Sequence, residues 1–371
     1  MVWGVGWRGL VILVAVILVG AVAAGCGSGS GSGSEEKKIA LLLPNERAVR
    51  YQDRYGFDRK IEEECPNCKV LFGNAQDSVK KQQEQAEQLL DEGADVLVVD
   101  PVEPHAASRI VRTAGQMDVP VVSYARLIPD SPVNYYVGVA DEQLGQLQAE
   151  VLGTTLKEEG RKSGPIVSIT IGTGGPQNAG ARRTFDSSGV EIARSYAIDE
   201  SVSEAEAFAS ARRAMQRAID ALGAYGFAGV FTSNDQTAAG AIAAIRAAGI
   251  DPKAKPTTGS GSTLPAVKRV LAGEQGMSAY EATWQQSATS AKVAVKLLNE
   301  ETVPSGWVTD KPDNGLKDVP ATLWPATAVT SINLMSTVIP YRFIKPEELC
   351  VGRYAKYCAE ADPKIPAPGG A

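Results

Sequence analysis

The sequence predicts an α/β protein made of two doubly wound parallel-sheet lobes, and three observations lead there. Short apolar runs of strand length alternate with longer stretches of helical character, at the spacing of βαβ units. The alternation restarts after residue 141, which gives two halves of similar rhythm. At 371 residues the chain also exceeds the length, ~250–300 residues, at which a single core stops growing.

The first half opens with a strand over 38–43, Ile-Ala-Leu-Leu-Leu broken at Pro44. Helical character covers 47–64 and stops at the Cys65-Pro66-Asn67-Cys68 loop. A strand over 70–72 precedes a helix over 78–91, with Ala86, Leu89 and Leu90 on its inner face. Residues 96–99 form a strand closed by Asp100-Pro101, followed by a helix over 106–115 and a strand over 120–124.

The second half reads as a helix over 141–156, a strand over 166–171, a helix beginning in 179–187 and a strand region over 190–196. A long Ala/Arg/Glu helix covers 203–222. Gly229-Val230-Phe231-Thr232 is then a short buried strand, and an Ala-rich helix runs from Gln236 to Ala248 with Gly249 as its stop. Strands over 255–259 and 276–280 flank a helix over 264–272, a helix covers 283–299, and strand-like residues return over 321–332. Between strand and helix stands Ser233-Asn234-Asp235. In parallel sheets ligands sit outside the carboxyl ends of the strands, so Asn234 and Asp235 are candidate ligand contacts. The same residue types cap helices, and both roles fit the sequence.

Composition excludes several functions. A formal charge of −6 and a pI near 5.2 speak against a nucleic-acid partner. The single histidine, His105, sits in a loop setting, which removes His-based catalysis and His metal sites; no cofactor and no metal are expected. Gly172-Thr173-Gly174-Gly175 follows a strand as a dinucleotide loop would. The third glycine spacing fails, however, Pro176 interrupts it, and an acidic ribose partner is lacking. An enzyme is not expected.

Residues 10–24 form an apolar run behind Arg8, ending in Ala23-Ala24-Gly25-Cys26. This resembles a bacterial lipoprotein signal, residues 1–26, with Cys26 as the lipidated first residue of the mature protein. A membrane anchor is the alternative, since ~17 apolar residues can just span a bilayer. Either reading puts the rest of the chain outside the cytoplasmic membrane, behind a Gly/Ser-rich linker over 27–37. In that compartment the four remaining cysteines read as two local disulfides, Cys65–Cys68 and Cys350–Cys358.

Several stretches in order carry a family resemblance: Arg47-Ala48-Val49-Arg50-Tyr51, Gly93-Ala94-Asp95 through Asp100-Pro101, Val121-Val122-Ser123-Tyr124-Ala125-Arg126, Asn178-Ala179, Ser233-Asn234-Asp235, and Thr322-Leu323-Trp324-Pro325-Ala326-Thr327. The chain resembles the type I periplasmic solute-binding proteins of ABC importers, most closely the D-xylose-binding branch. The resemblance implies two lobes, 38–139 plus 282–325 and 140–281 plus 326–345, joined by a three-strand hinge near 139–142, 280–283 and 324–328. Residues 346–371 are left as a disulfide-stapled tail. It implies a sugar pocket drawing on Arg47, Arg50, Tyr51, Arg126, Asn178 and Asn234, with Asp235 and Glu281 beside them. It implies a monomeric carrier that closes on a small sugar-like ligand and delivers it to a membrane permease. Presentation to a membrane sensor is the alternative. Departures concern acceptors: Ala125 and Gly259-Ser260-Gly261-Ser262 stand where the family carries carboxylates, and Glu281 where it carries a basic residue. Retained arginines with missing carboxylates point toward a sugar acid or other polyol-like anion, with a pentose in a rearranged pocket as the alternative.

Overall fold

Eleven strands, β1 to β11, and twelve helices, α1 to α12, make up the described part of the computed structural model, residues 36–45, 53–160, 164–199, 202–340 and 343–361. The first sheet joins six parallel strands: β1 (Lys38–Leu43), β2 (Lys69–Asn74), β3 (Val96–Val99), β4 (Val121–Ala125), β5 (Tyr135–Val139) and β10 (Ala321–Trp324). Their order is β10-β5-β4-β3-β1-β2. The central strands are buried on both faces, so they read as continuous apolar runs rather than alternating ones. One face is covered by α2 (Val79–Asp91) and α3 (Pro104–Gly115), through Ala86, Leu90, Ile110 and Ala114. The other is covered by α1 (Asp53–Glu64) and α9 (Thr283–Leu298), through Phe57, Ile61, Ala291 and Val295.

Caps set the helix starts. Ser78 Oγ accepts from Lys81 N at 3.2 Å, and the Glu103 carboxylate accepts from His105 N at 2.9 Å and Ala106 N at 2.6 Å. Helix α3 therefore begins at Pro104, two residues before the expected 106, because Pro is preorganised for the first helical position. His105, expected in a loop, is exposed in the first turn of this helix.

The second lobe holds a parallel sheet β7-β6-β8, with β6 (Ile166–Ile171), β7 (Ile192–Ile198) and β8 (Gly229–Thr232). On one face, α6 (Glu204–Leu222) and α7 (Asp235–Ala247) bury Val167, Ile169 and Val230. On the other lie α4 (Asp141–Glu158) and α5 (Pro176–Ser188), with Leu152 and Phe185. These two helices cross so closely that a Cβ on Gly145 or Gly180 would strike the backbone carbonyl of Gln177 or Glu142.

Three expectations are corrected. Residues 255–259 are not a strand: Thr257 alone bridges to Val230. The backbone contact is short, Val230 N donating to Pro256 O at 2.9 Å and Thr258 N to Val230 O at 3.0 Å; beyond it Thr258 Oγ1 accepts from Thr232 N at 3.0 Å and Thr232 Oγ1 donates to Thr258 O at 2.5 Å. Residues 321–332 split at Pro325, which has no N–H to offer, into β10 and β11 (Thr327–Val329), and these belong to different sheets. Residues 135–139, not expected as a strand, form β5 at the heart of the first sheet.

The antiparallel pair β9 (Ser278–Tyr280) and β11 continues the second lobe beyond β8, through the bridges Val230–Thr257 and Ser260–Ala279. The chain thus passes between lobes three times, from β5 into α4, from β9 into α9, and from β10 into β11. At the middle passage Ala282 adopts the left-handed region, φ 51°. After β11, the short helices α10 (Leu334–Thr337), α11 (Pro346–Leu349) and α12 (Ala355–Ala361) pack Leu334, Phe343, Ile344 and Leu349 against α8 (Leu264–Leu271). Disulfides join Cys65 to Cys68 and Cys350 to Cys358.

Candidate ligand-binding cleft

A cavity of about 330 Å³ lies where the carboxyl ends of the first sheet meet the second lobe. From the first lobe come Pro44 and Asn45 after β1, Asp53 of α1, Asp100 after β3, and Tyr124, Ala125 and Arg126 at the end of β4. The second lobe and the hinge add Gly261, Thr263, Glu281, Thr283 and Gln286, and Phe343 closes one wall. This is the strand-end position at which open α/β sheets bind ligands.

The loop carrying Asp100 is fixed from both sides by one residue of α2. Gln82 Nε2 donates to Asp100 O at 2.7 Å, and its Oε1 accepts from Val102 N at 2.8 Å. Arg126 reaches the same loop from β4: Nε and Nη2 donate to Asp100 Oδ1 at 3.1 and 2.9 Å, and Nη1 to Val102 O at 3.2 Å. Burial pushes the Asp100 carboxyl above its ordinary value, and the Arg126 guanidinium only partly opposes that. The corner that aims Arg126 is strained. Ala125 has φ 58°, Arg126 N closes back on Tyr124 O at 2.6 Å, and Tyr136 Oη donates to Ala125 O at 3.2 Å. Ser123 Oγ donates to Arg126 O at 2.7 Å and accepts from Ile128 N at 3.0 Å, which locks the outgoing chain.

Tyr124 Oη bonds Asp53, and burial first, then that carboxylate, holds the phenol well above its usual range. Across the cleft, the Glu281 backbone oxygen accepts from Gln286 Nε2. Burial also pushes the Tyr136 phenol up, with Asp141, Asp100 and Glu281 adding to the shift and Arg126 opposing it. Asp141, the first residue of α4, is itself raised to about 6 by burial. Three carboxylates and one arginine thus act on the Tyr136 phenol.

The structure brings Arg126 and Glu281 together in the cleft. Asn178, Asn234 and Asp235 stand near strand ends, but none is among the residues lining the cavity. Asn178 Nδ2 donates to Gly174 O at 2.7 Å, and the residue lines a separate depression of about 250 Å³ beside β6 and β7. Asn234 Oδ1 accepts from Gln236 N at 3.2 Å and Thr237 N at 2.9 Å, which is the helix-cap role. Asp235 is buried and works inside its lobe. Its carboxylate accepts from Thr263 N at 2.8 Å, Thr263 Oγ1 at 3.1 Å, Ser278 Oγ at 2.7 Å and Gln275 Nε2 at 3.2 Å. It thereby positions Thr263, which does line the cleft. Arg47, Arg50, Tyr51 and Cys26 lie outside the described residues. Sequence reasoning missed Asp53, Asp100 and Phe343. The Asp100-Pro101 strand stop was visible for what it ended, not for what it faced.

The profile described as "Periplasmic binding protein domain" matches residues 39–302. The chain belongs to the periplasmic binding protein family. Its relatives include the D-xylose-binding periplasmic protein of Escherichia coli, to which this binding protein is 30% identical over 321 residues, 85% of this chain and 93% of that one. The protein of that name from Haemophilus influenzae is 30% identical over 327 residues, 85% and 92% of the two chains. Among solved structures, an ABC transporter solute-binding protein from Clostridium phytofermentans with bound β-D-glucose superposes with a TM-score of 0.69 at 23% identity. That match covers 84% of this binding protein and 100% of the other, and establishes the shared fold. Among the described residues no helix is long and apolar enough to cross a membrane, and no group of acidic, histidine or cysteine side chains could hold a metal ion.

Proposed function

We propose that this binding protein is an extracytoplasmic carrier that captures a neutral monosaccharide or related polyol between its lobes and delivers it to an ABC importer. In the proposal it is held at the membrane through Cys26. The observation that carries the reading is the polar lining of the cleft. Asp53, Asp100 and Glu281 offer acceptors, Arg126 offers donors, and they come from both lobes. An array of ring hydroxyls needs that mixture, because each hydroxyl both donates and accepts.

The same lining argues against the expectation of a sugar acid. That expectation rested on missing carboxylates, yet Asp53 and Asp100 supply them from other positions, and the described cation, Arg126, is already engaged by Asp100. An anionic ligand would meet like charge in a partly desolvated cleft, where two unit charges 5 Å apart repel by ~3 kcal/mol at an effective dielectric of ~20. Because contacts divide between lobes, ligand favours the closed state, in which both can be made.

The test is a thermal-shift and calorimetric screen with D-xylose, D-glucose, myo-inositol, xylitol, D-glucuronate and D-gluconate. A ligand at a hundred times its dissociation constant stabilises by ~2.7 kcal/mol, a readily measured shift. Neutral compounds are expected to bind and the two acids to stay silent. Binding of an acid with every neutral compound silent would overturn the reading.

A further inference from the structure

We infer that Gln82 is a positioning residue for the ligand: buried in α2 and not among the residues lining the cavity, it holds Asp100 and Arg126 in place for the cleft. The inference rests on the reading of the cleft as a sugar site. A hydroxyl is recognised by the direction of its bonds, so a contact must be held to within about 0.5 Å to count.

Gln82 is an exception on its helix. The other buried residues of α2 are Ala86, Leu89 and Leu90, yet Gln82 is only 2% exposed. A buried amide is costly unless both its ends are bonded. Here both are, and neither bond goes to the helix or to another side chain. Nε2 donates to Asp100 O and Oε1 accepts from Val102 N, so one planar group grips the backbone on both sides of Pro101. Pro101 has no N–H of its own, which leaves the loop that much less backbone with which to fix itself.

The loop is held by sheet, helix and arginine at once. Asp100 N donates to Leu42 O at 3.0 Å, and Gln82 takes the Asp100 carbonyl, so the backbone that carries the carboxylate is fixed at both N and O. Arg126 bonds the same two residues, Asp100 through its carboxylate and Val102 through its carbonyl. Val102 therefore gives its N–H to Gln82 and offers its C=O to Arg126. Both bonds between Arg126 and Asp100 fall on Oδ1. Among the described residues no hydrogen bond reaches Oδ2, and that oxygen is the one left for a ligand hydroxyl.

The second lobe holds an internal comparison. Gln148 of α4, fully buried, donates through Nε2 to Thr232 O at 3.1 Å and accepts at Oε1 from Gln177 Nε2 at 2.8 Å. It too ties a helix to the end of a strand, β8, but neither Thr232 nor Gln177 lines the cavity. The two glutamines do similar work in the fold, and only Gln82 holds a loop that carries ligand contacts.

The experiment compares the unaltered protein with Gln82→Met and Gln148→Met by calorimetry against D-xylose, D-glucose, myo-inositol and xylitol. A thermal melt and hydrogen exchange at the Val102 amide, read by NMR, accompany each variant. Methionine keeps the length and bulk of glutamine and makes neither bond. Gln82→Asn, with both polar groups on a stem one carbon shorter, takes its place if Gln82→Met does not fold. Both methionine variants should melt earlier, since each leaves buried groups without a partner. Gln82→Met should bind the neutral compounds about tenfold more weakly, a usual loss when a group that orients a contact is removed, and Gln148→Met should stay within about twofold. Exchange at Val102 should quicken about tenfold in Gln82→Met and hold in Gln148→Met. If Gln82→Met binds as well as the unaltered protein, or Gln148→Met loses as much, the inference is overturned while the proposed function stands. If affinity falls with no faster exchange at Val102, the loss does not run through the loop and the inference is again overturned. If the unaltered protein binds none of the four compounds, the proposed function fails and takes the inference with it.

Discussion

Replacing Arg126 by alanine should destabilise this protein in a way that depends on pH. The guanidinium is the cation described on Asp100, meeting one carboxylate oxygen through two nitrogens. Removing one member of a buried ion pair costs about 3–5 kcal/mol, because the other charge is left desolvated. Here the two members differ: the Asp100 side chain is 9% exposed and that of Arg126 43%, so water already screens the cation and the loss should fall to about 2–3 kcal/mol. At about 2 °C per kcal/mol for a chain of this size, the melting temperature should drop by about 4–6 °C at pH 7.5. The sign with pH follows from burial, which holds the folded-state value of Asp100 above 3.8 even with Arg126 present. A raised carboxyl favours folding in acid, and that contribution is lost as pH rises through the folded value. Without Arg126 the value rises further, so the penalty belongs to the charged form and shrinks on acidification. Melts of the unaltered protein, Arg126→Ala, Asp100→Asn and the double variant at pH 4.5 and 7.5 form the assay. The loss should be smaller at pH 4.5 than at pH 7.5, and Asp100→Asn should rescue most of it at pH 7.5. An equal loss at both pH values, or a double variant as weak as the sum of the singles, would refute the argument.

Two further outcomes follow from the same geometry. Asn234→Ala should cost about 1 kcal/mol as a lost helix cap and leave sugar affinity within about twofold, whereas Asp235→Ala should lower the melting temperature further, because several buried donors lose their acceptor; a calorimetric loss of affinity in Asn234→Ala would restore that residue to the pocket. Asp141, raised from 3.8 to about 6 by burial, carries about 3 kcal/mol of strain once ionised, against ~0.3–1 kcal/mol regained from its place at the start of α4. Its stabilising protonated form is fully present below about pH 4 and lost through about pH 6, so Asp141→Asn should raise stability by about 2 kcal/mol at pH 7.5 and leave it unchanged at pH 3.5, as read by denaturant titration.

Much of the fold was legible because its strands carry their own punctuation. Residues 38–43, 96–99, 166–171 and 229–232 are apolar runs stopped by Pro44, Asp100-Pro101, Gly172 and Ser233, and each coincides with an observed strand. Tyr135–Val139 carries no such stop: it runs on into Ala140-Asp141, and Gly138 lowers its strand propensity. Residues 255–259 mislead in the opposite sense: two backbone bonds tie them to Val230, and past these the Thr258 hydroxyl rather than its backbone meets Thr232 N.

The candidate site was half legible. Arg126 follows from its place at the end of β4, but a strand end tells where a residue stands and not which way its side chain is spent. Asn234 and Asp235 turned inward because α7 needed a cap and the Thr263–Ser278 seam needed an acceptor. Phe343 lies more than two hundred residues from Tyr124 in the chain, so nothing local could connect them. The nearest clue was the pair Cys350 and Cys358, which marked its segment as fixed to the body.

The first lobe is assembled from two ends of the chain, and that fixes the order in which the molecule can be completed. Strands β1 to β5 are finished by Val139, but β10, which completes the sheet beside β5, ends at Trp324, and α9, which covers one face, lies just before it. Until that late segment is made, Val122, Tyr135 and Val137 lack the cover that α9 gives them, and the outer edge of β5 is unpaired. The intervening stretch of about 185 residues takes ~10–40 s to synthesise at ~5–20 residues per second. During that interval most of the second lobe, which is contiguous up to β9, can close while the first waits half-built. Ordering of this kind makes the early half-lobe the species most exposed to misassembly.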